Sequence, residues 1–338
     1  MSDAQQTLAP CVSVVIPVYN CEAMLIETLE SVLTQDLRNI EVICVDDGST
    51  DRSAYIVEQL ASTDPRLRLI SQKNAGASSA RNTGIDAARG EFITFLDADD
   101  WYEEDSYLSA LYEGAKRTGL DAAGGCMVNW RGENSVERDF ADEPYYDGYE
   151  FRGESVVGYA DWQFDYGFTR FIFARKLFEG GKHRFGYLRF FEDPVFFVRI
   201  MDDVGEFFAT DKAHYMYRCA YKPHNWTTGH VLDLMQGVLE NLEYSRERGY
   251  ARLHRYTARH FDFNAYEIGV GINPALAVDV LEVRLEQLEQ ALSQDLLAEA
   301  GEPDLPLEFR MRKAIDGVGS FDVAGKAYRW ARYLFAHR

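Results

Sequence analysis

Positive charge is scarce in this chain. Lysine and arginine number 35 against 55 aspartates and glutamates, a net charge of −20 over 338 residues. A surface so acidic repels phosphate backbones, which argues against nucleic acid as a partner. Cysteine is scarcer still. Cys11, Cys21, Cys44, Cys126 and Cys219 are odd in number, scattered, and form no Cys-x-x-Cys pair. That argues against a disulfide framework and against a zinc site, and leaves buried, reduced thiols in a cytoplasmic protein as the expectation. No apolar run approaches the roughly 20 residues of a membrane span. Residues 1–10 are polar, without the apolar centre of a signal peptide. There is no internal repeat and no low-complexity tract. No Gly-x-Gly-x-x-Gly follows the first apolar run and no Gly-x-x-x-x-Gly-Lys-[Ser/Thr] occurs, so the two commonest nucleotide loops are missing.

What the chain has is alternation. Residues 12–17 (VSVVIP) form a nearly continuous β-branched run, the pattern of a strand buried on both faces. Leu25, Leu29, Val32 and Leu33 then recur at helical spacing, which predicts an amphipathic helix over 22–35. A second buried strand, 41–45, ends in Asp46-Asp47-Gly48-Ser49-Thr50-Asp51, where a turn glycine meets residues suited to a helix N-cap. Ala54, Val57, Leu60 and Ala61 carry the next helix, and residues 67–70 a third strand. A helix closing at Gly90, a strand over 91–96, a helix marked by Tyr107, Leu108, Leu111, Tyr112 and Ala115, and a strand over 122–128 continue the series. Such alternation predicts a doubly wound α/β fold with a mostly parallel sheet. Residues 130–165 show no clear period and read as a loop-rich excursion. Apolar density returns over 168–177 and 190–201, and 213–219 reads as an aromatic strand. From Val231 the pattern is helical, with one stripe of Leu232, Met235, Val238, Leu239 and Leu242 and another of Leu281, Leu285, Leu288 and Leu292. The domain reading is a flexible stretch over 1–10, an α/β domain over 11–225 and a helical region over 226–338.

The stretch most loaded with chemistry is Phe92-Ile93-Thr94-Phe95-Leu96-Asp97-Ala98-Asp99-Asp100. An apolar strand delivers three carboxylates at its carboxyl end, where open α/β sheets form ligand sites. Asp-x-Asp makes a hard oxygen site suited to Mg²⁺ or Mn²⁺ carrying substrate phosphates. The competing reading is an acidic turn that caps the next helix.

Six pieces then line up in order: VSVVIPVYN, a helix ending near Gln35, EVICVDDGSTD, NAGASSARNTGI, GEFITFLDADD and FFEDPVFFVRIM. Together they resemble a family 2 glycosyltransferase of the GT-A fold over roughly residues 10–220. The resemblance implies an inverting transferase that uses a nucleotide-diphosphate sugar, most often linked to UDP, and a divalent metal, Mn²⁺ or Mg²⁺. It implies that the donor nucleotide is held by Pro17, Tyr19, Asn20, Asp47, Asn74, Arg81, Asp97 and Ala98. Pro17 and Tyr19 would lie against the nucleotide, Asp47 would accept a hydrogen bond from the base and Arg81 would face the diphosphate. Asp97 and Asp99 match the family's metal-binding aspartates. His224 would be the third ligand, because it follows the strand where such families close the site; His214 is the alternative. Glu192 and Asp193 match the catalytic-base position, with Asp193 as the base, kept ionised at a helix N-terminus opened by Pro194.

The chemistry asks for these groups independently. Displacement at an anomeric carbon needs a cation for the leaving diphosphate and a carboxylate for the acceptor proton. The family often places Ser or Thr a few residues after a Tyr-Arg pair, but here Thr227 and Thr228 lie further from Tyr217-Arg218. No Gln-x-x-Arg-Trp of processive members occurs, which favours one sugar per encounter. The acceptor would be a glycan or lipid-linked acceptor, with polysaccharide synthesis of the cell envelope as the setting; a lipid-linked glycan, a polysaccharide and a protein all stay open. A nucleotidyltransferase of related fold lacks support, because its glycine-rich loop is missing after the first strand. A non-catalytic sugar-nucleotide-binding module conflicts with the intact acids. Residues 326–338 join Lys326, Arg329, Arg332 and Arg338 to Tyr328, Trp330, Tyr333 and Phe335. That composition suits peripheral contact with an anionic membrane face, or a final helix packed on its own domain.

Overall fold

The structure is a computed structural model, and it describes residues 9–130, 132, 136–137, 150–219, 227–271 and 278–301. His224 and the basic, aromatic residues 326–338 lie outside the described residues. Packing divides the chain into two compact units, Met1–Pro223 and His224–Arg338.

The first unit opens with strand–helix pairs: β1 (Val12–Val18), α1 (Leu25–Leu33), β2 (Ile40–Asp46), α2 (Ser53–Ala61), β3 (Leu67–Ser71), α3 (Ala77–Ala87) and β4 (Phe92–Phe95). The second half holds β5 (Trp101–Tyr102), α4 (Tyr107–Thr118), β6 (Ala122–Trp130), β7 (Val136–Glu137), β8 (Ser155–Gly158), α5 (Tyr159–Trp162), β9 (Phe171–Ala174), α6 (Glu192–Val204) and β10 (Glu206–Arg218). The strand order is β3-β2-β1-β4-β9-β6-β10-β5, with β7 on β6 and β8 on β10. The first four strands are parallel, as helical crossovers require. The sheet then becomes mixed. β9 enters antiparallel between β4 and β6, and β5 and β8 pair antiparallel with β10. β9 follows the excursion after β6, and among its described residues only the four-residue α5 is an α-helix.

The core follows from the runs that marked the strands. Val12, Val14, Val15, Ile16 and Val18 of β1 are buried, as is every residue of β2 and β4. Beside β4, the rings of Phe95, Phe168, Phe185 and Phe196 pack edge-to-face, tilted or stacked, with centroids 3.9–6.0 Å apart. The register places Val18 opposite Asp46 and Val15 opposite Phe95. The chain therefore leaves β1, β2 and β4 at one edge, and the loops that carry Tyr19, Asp47 and Asp97 emerge together.

The helical unit contains α7 (Thr228–Arg248), α8 (Ala251–Gly271), α9 (Val278–Ala291) and α10 (Gln294–Glu299). Thr227 caps α7 by accepting from the His230 N–H, and Gly249 ends it at φ 69°. Val231, Leu234, Met235, Val238, Leu239 and Leu242 form its buried stripe. His254 ties this unit internally. Its Nδ1 meets Ser245 Oγ at 2.8 Å and its Nε2 accepts the Ser293 N–H at 2.9 Å. Burial pushes His254 down to about 4, which keeps Nε2 free to accept.

Helix α3 lies so close on β1 that a Cβ at Gly84 would sit 2.2 Å from Val15 Cγ1. Neither partner can retreat, because Val15 is held in the centre of the sheet. Gly84→Ala should therefore destabilise the first unit by about 1–3 kcal/mol, the usual cost of overpacking. Thermal or urea denaturation of the variant against the parent measures this; an unchanged midpoint would show that α3 is free to shift.

Candidate active site

Strand ends set the candidate side chains of three loops, and helices α3 and α6 bring the rest. At the end of β1 Pro17 is half-buried, and after the strand Tyr19 is 52% exposed and Asn20 takes the left-handed conformation at φ 50°. Asparagine tolerates that region better than most residues. Asn20 clips this loop to the next one: its N–H donates to Ser49 Oγ at 3.1 Å and its Oδ1 accepts from the Thr50 N–H at 2.8 Å. The Tyr19 ring is left as an exposed aromatic face at the sheet edge.

After β2, Asp46 serves the turn by accepting from the Ser49 N–H at 3.2 Å. Asp47 is buried and organises the third loop. Its Oδ1 accepts from Ala75 N–H and Gln72 Nε2, its Oδ2 from Gly76 N–H, all at 2.7–2.8 Å, while Asn74 Nδ2 donates to its carbonyl at 3.0 Å. A carboxylate has about four acceptor sites, and these donors fill three of them. Gly48, at φ 77°, lets this loop come close: a Cβ there would lie 3.1 Å from Asn74 N.

Arg81 projects from α3 into the protein, not onto an open face. Its guanidinium lies between the rings of Phe168 and Phe185, 5.0 and 5.1 Å from their centroids. Nη2 donates to Asp97 Oδ1 at 2.9 Å and Nη1 to Glu192 Oε1 at 2.8 Å. The arginine expected to face a diphosphate is thus the bridge between the Asp97 loop and the Glu192-Asp193 pair.

After β4 the three acids separate. Asp97 and Asp99 are half-buried, and Ala98 between them is buried, its carbonyl accepting from Thr28 Oγ1 at 3.0 Å. Asp100 turns wholly inward, accepting from Tyr215 Oη at 2.7 Å and the Arg218 N–H at 2.9 Å. The outward donor set is therefore Asp97 and Asp99. These are hard oxygens at a strand end, and the acids Asp97, Glu192 and Asp193 all act on Arg81. Against that excess of negative charge a diphosphate needs a cation, so the residues fit Mg²⁺ or Mn²⁺. His214 does not join them. It neighbours Tyr215 on β10, so its side chain leaves on the opposite face. Its Nδ1 meets Glu104 there and lies 3.8 Å from Glu103.

Helix α6 begins at Glu192, before Pro194, directly after Phe191, a non-glycine residue at φ 61°. Such strain persists only where its surroundings enforce it, and it aims the first turn of α6 at Arg81. The helix N-terminus does not keep Asp193 ionised. Burial, and next the Glu192 charge, push Asp193 up to about 8, and Arg81 offsets only part of this. Desolvation and a like charge outweigh the backbone dipole. Sequence reasoning missed Thr28, Tyr215 and the role of Arg218. The one available signal was the period-2 pair Tyr215 and Tyr217 on an aromatic strand.

Residues 13–182, half of the chain, match the family model described as Glycosyl transferase family 2. Among curated relatives, the uncharacterized glycosyltransferase EpsJ of Bacillus subtilis is 35% identical over 217 residues, 62% of each chain. Glycosyltransferase GlyA of Streptococcus pneumoniae is 46% identical over 102 residues, 30% of this chain and 14% of that one. Chondroitin synthase of Escherichia coli is 42% identical over 111 residues, 33% of this chain and 16% of that one. The chain thus spans 62% or less of the length of these relatives. Among solved structures, S. aureus TarS residues 1–349 in complex with UDP-GlcNAc superpose with a TM-score of 0.67 at 21% identity, covering 95% of this chain and 92% of that one. A mannosyltransferase of Pyrobaculum calidifontis, in complex with GDP-Man and Mn²⁺, gives 0.51 at 18% identity, covering 98% and 86%. The fold is that of the GT-A glycosyltransferases, with a mixed α/β sheet.

The raised Asp193 has a thermodynamic signature. The native chain keeps this proton up to about pH 8, whereas an unfolded aspartate releases it near 3.9. The native state then binds more protons across that interval, so this group's contribution to stability is lost as pH rises from about 4 through about 8. Asp193→Asn should remove that contribution. Thermal denaturation of both proteins from about pH 5 to pH 9 tests it, and parallel pH dependences would mean that Asp193 is already ionised.

Proposed function

This chain belongs to glycosyl transferase family 2, and we propose that it transfers one sugar from a nucleotide-diphosphate sugar, UDP-linked, to a glycan or lipid-linked acceptor with inversion at the anomeric carbon. The observation that carries this reading is the Arg81 bridge, which joins Asp97 of the cation-binding loop to Glu192 of the catalytic pair at 2.9 and 2.8 Å. One network thereby connects the place where the leaving group departs with the place where the acceptor loses its proton.

Tyr19 supplies the stacking face for the base, and Asp47 its remaining acceptor site. Asp97 and Asp99 hold Mn²⁺ or Mg²⁺, which supplies neutralisation of the diphosphate's developing charge. UDP is the first donor nucleotide to test, since TarS, of the same fold, was solved with UDP-GlcNAc. Asp193 takes the proton of the acceptor hydroxyl as the oxygen bonds to the anomeric carbon and the bond to the diphosphate oxygen breaks. No covalent sugar–protein intermediate forms, so a single base suffices. A carboxylate whose pKa is raised toward neutrality is a better proton acceptor than an ordinary aspartate. Glu192, fixed by Arg81, keeps its neighbour's proton affinity high.

Asp99→Ala should abolish the Mn²⁺-dependent part of UDP binding while the fold survives. Asp193→Asn should keep donor binding and lower turnover by roughly 10²-fold or more. Turnover of the parent should rise with pH through about 8 as Asp193 ionises. Calorimetry and a sugar-nucleotide turnover screen read these outcomes. Normal turnover in Asp193→Asn with a dead Glu192→Gln would reverse the two roles.

The same reading makes residues 326–338 a peripheral anchor toward a lipid-linked acceptor; no helix among the described residues is long and apolar enough to cross a membrane. Full-length protein should co-sediment with anionic liposomes more than a chain ending at Ala324, and equal sedimentation would remove the anchor.

A further inference from the structure

We infer that Arg218 is a positioning residue for the cation-binding turn. It fixes the main chain at Asp99, so that the Asp97 and Asp99 carboxylates are presented ready for a divalent cation. The inference rests on the reading of those two aspartates as cation ligands.

The turn from Asp97 to Asp100 is bound by protein groups at successive main-chain positions. The Asp97 N–H donates to Tyr215 Oη at 3.2 Å, and the Asp97 carbonyl accepts from the Asp100 N–H at 3.0 Å. The Ala98 carbonyl accepts from Thr28 Oγ1 at 3.0 Å. The Asp99 carbonyl accepts from Arg218 Nε at 2.7 Å. A planar peptide held at its carbonyl fixes the torsions on both sides of it. Arg218 therefore controls the peptide that joins an outward acid, Asp99, to an inward one, Asp100. Its own N–H also donates to Asp100 Oδ1 at 2.9 Å, so Arg218 grips the turn from main chain and side chain together.

Arg218 is itself held firmly. Its guanidinium lies between Trp101 and Trp130, 4.4 and 4.8 Å from the ring centroids. Its Nη2 donates to Glu27 Oε2 of α1 at 2.6 Å. Nε and Nη2 thus serve two elements at once, the turn and α1. A rigid fork with donors on separate nitrogens suits this; a lysine carries all its donors on one nitrogen at the end of a flexible stem and does not reproduce the two-point grip. The residue is 6% exposed, so this geometry is not averaged by solvent. Partners that orient a metal's ligands typically contribute 10–100-fold to metal affinity.

The test separates positioning from a general structural role. UDP affinity of the full chain is measured by calorimetry with EDTA and with Mn²⁺, and the ratio is the metal-dependent gain. Arg218→Gln and Arg218→Lys should each lower that ratio by about tenfold. Affinity in EDTA should stay nearly unchanged, because Tyr19 and Asp47 sit at the ends of other strands. A folded variant that retains the ratio overturns the inference. So does an equal loss with and without Mn²⁺, which marks a merely structural arginine. If Arg218→Gln does not fold, Arg218→Lys, which keeps a cation between the indoles, decides. Asp99→Ala is measured in parallel: if it also keeps the ratio, the cation-site reading fails, whereas its loss beside intact Arg218 variants sinks this inference alone.

Discussion

A guanidinium shielded from water has to find its counter-charges within the protein, and the site is arranged around that requirement. Arg81 is almost fully buried, with aromatic faces on two sides and carboxylates at two nitrogens. Truncating one partner of such a network commonly costs about 3–5 kcal/mol, because the remaining charge stays buried and uncompensated. The pair of bonds therefore dictates more than local stability. It requires the loop after β4 and the start of α6 to converge on one helix, although Asp97 and Glu192 are 95 residues apart in the chain. The left-handed Phe191 and the contact between Gly84 and Val15 are the backbone terms of that convergence. One brings α6 to Arg81, and the other brings α3, which carries Arg81, down onto β1.

The aromatic density of the second half has the same origin. Phe168 and Phe185 flank Arg81, and both pack on Phe95, the last residue of β4. The strand that delivers the acids thus shares its core with the arginine that holds one of them. Residues 185 and 82 are tied by reciprocal hydrogen bonds between Asn82 and the Phe185 main chain, at 2.9 and 3.0 Å. The loop before α6 is therefore fastened to α3 one residue from Arg81.

Much of this was legible in the residues before any coordinates. β1, β2 and β4 are buried on both faces, so their sequences are unbroken and apolar, and the acids that follow stand out at once. The fold class and the family resemblance follow from those strand ends. Other features depend on neighbours distant in sequence and left no local mark. β9 is a short apolar run whose direction only its partners decide. The first half of β10 is interrupted by the exposed Asp211 and Lys212 at a register shift, which hid it beside the aromatic half that was recognised. Asp100 reads like its two companions, and only the approach of Tyr215 and Arg218 turns it inward. The proton affinity of Asp193 is the sharpest case. A helix start predicts a stabilised anion, but burial, which no local pattern marks, adds to the charge of the adjacent Glu192 and reverses the sign.

On the proposed function, that reversal bears on how so acidic a chain would handle an anionic donor. With both Glu192 and Asp193 ionised beside Asp97, three negative charges would face one arginine. A proton on Asp193 removes one of them. A cation bound at Asp97 and Asp99 would lower the remaining repulsion, and a diphosphate would then meet a site close to neutral. On the proposed mechanism, Asp193 ionises where an acceptor hydroxyl can share its proton. The net charge of the chain therefore says little about its affinity for phosphate. On the proposed function, what decides it is the local balance around Arg81, which Asp193 and the Asp97–Asp99 turn set from opposite sides.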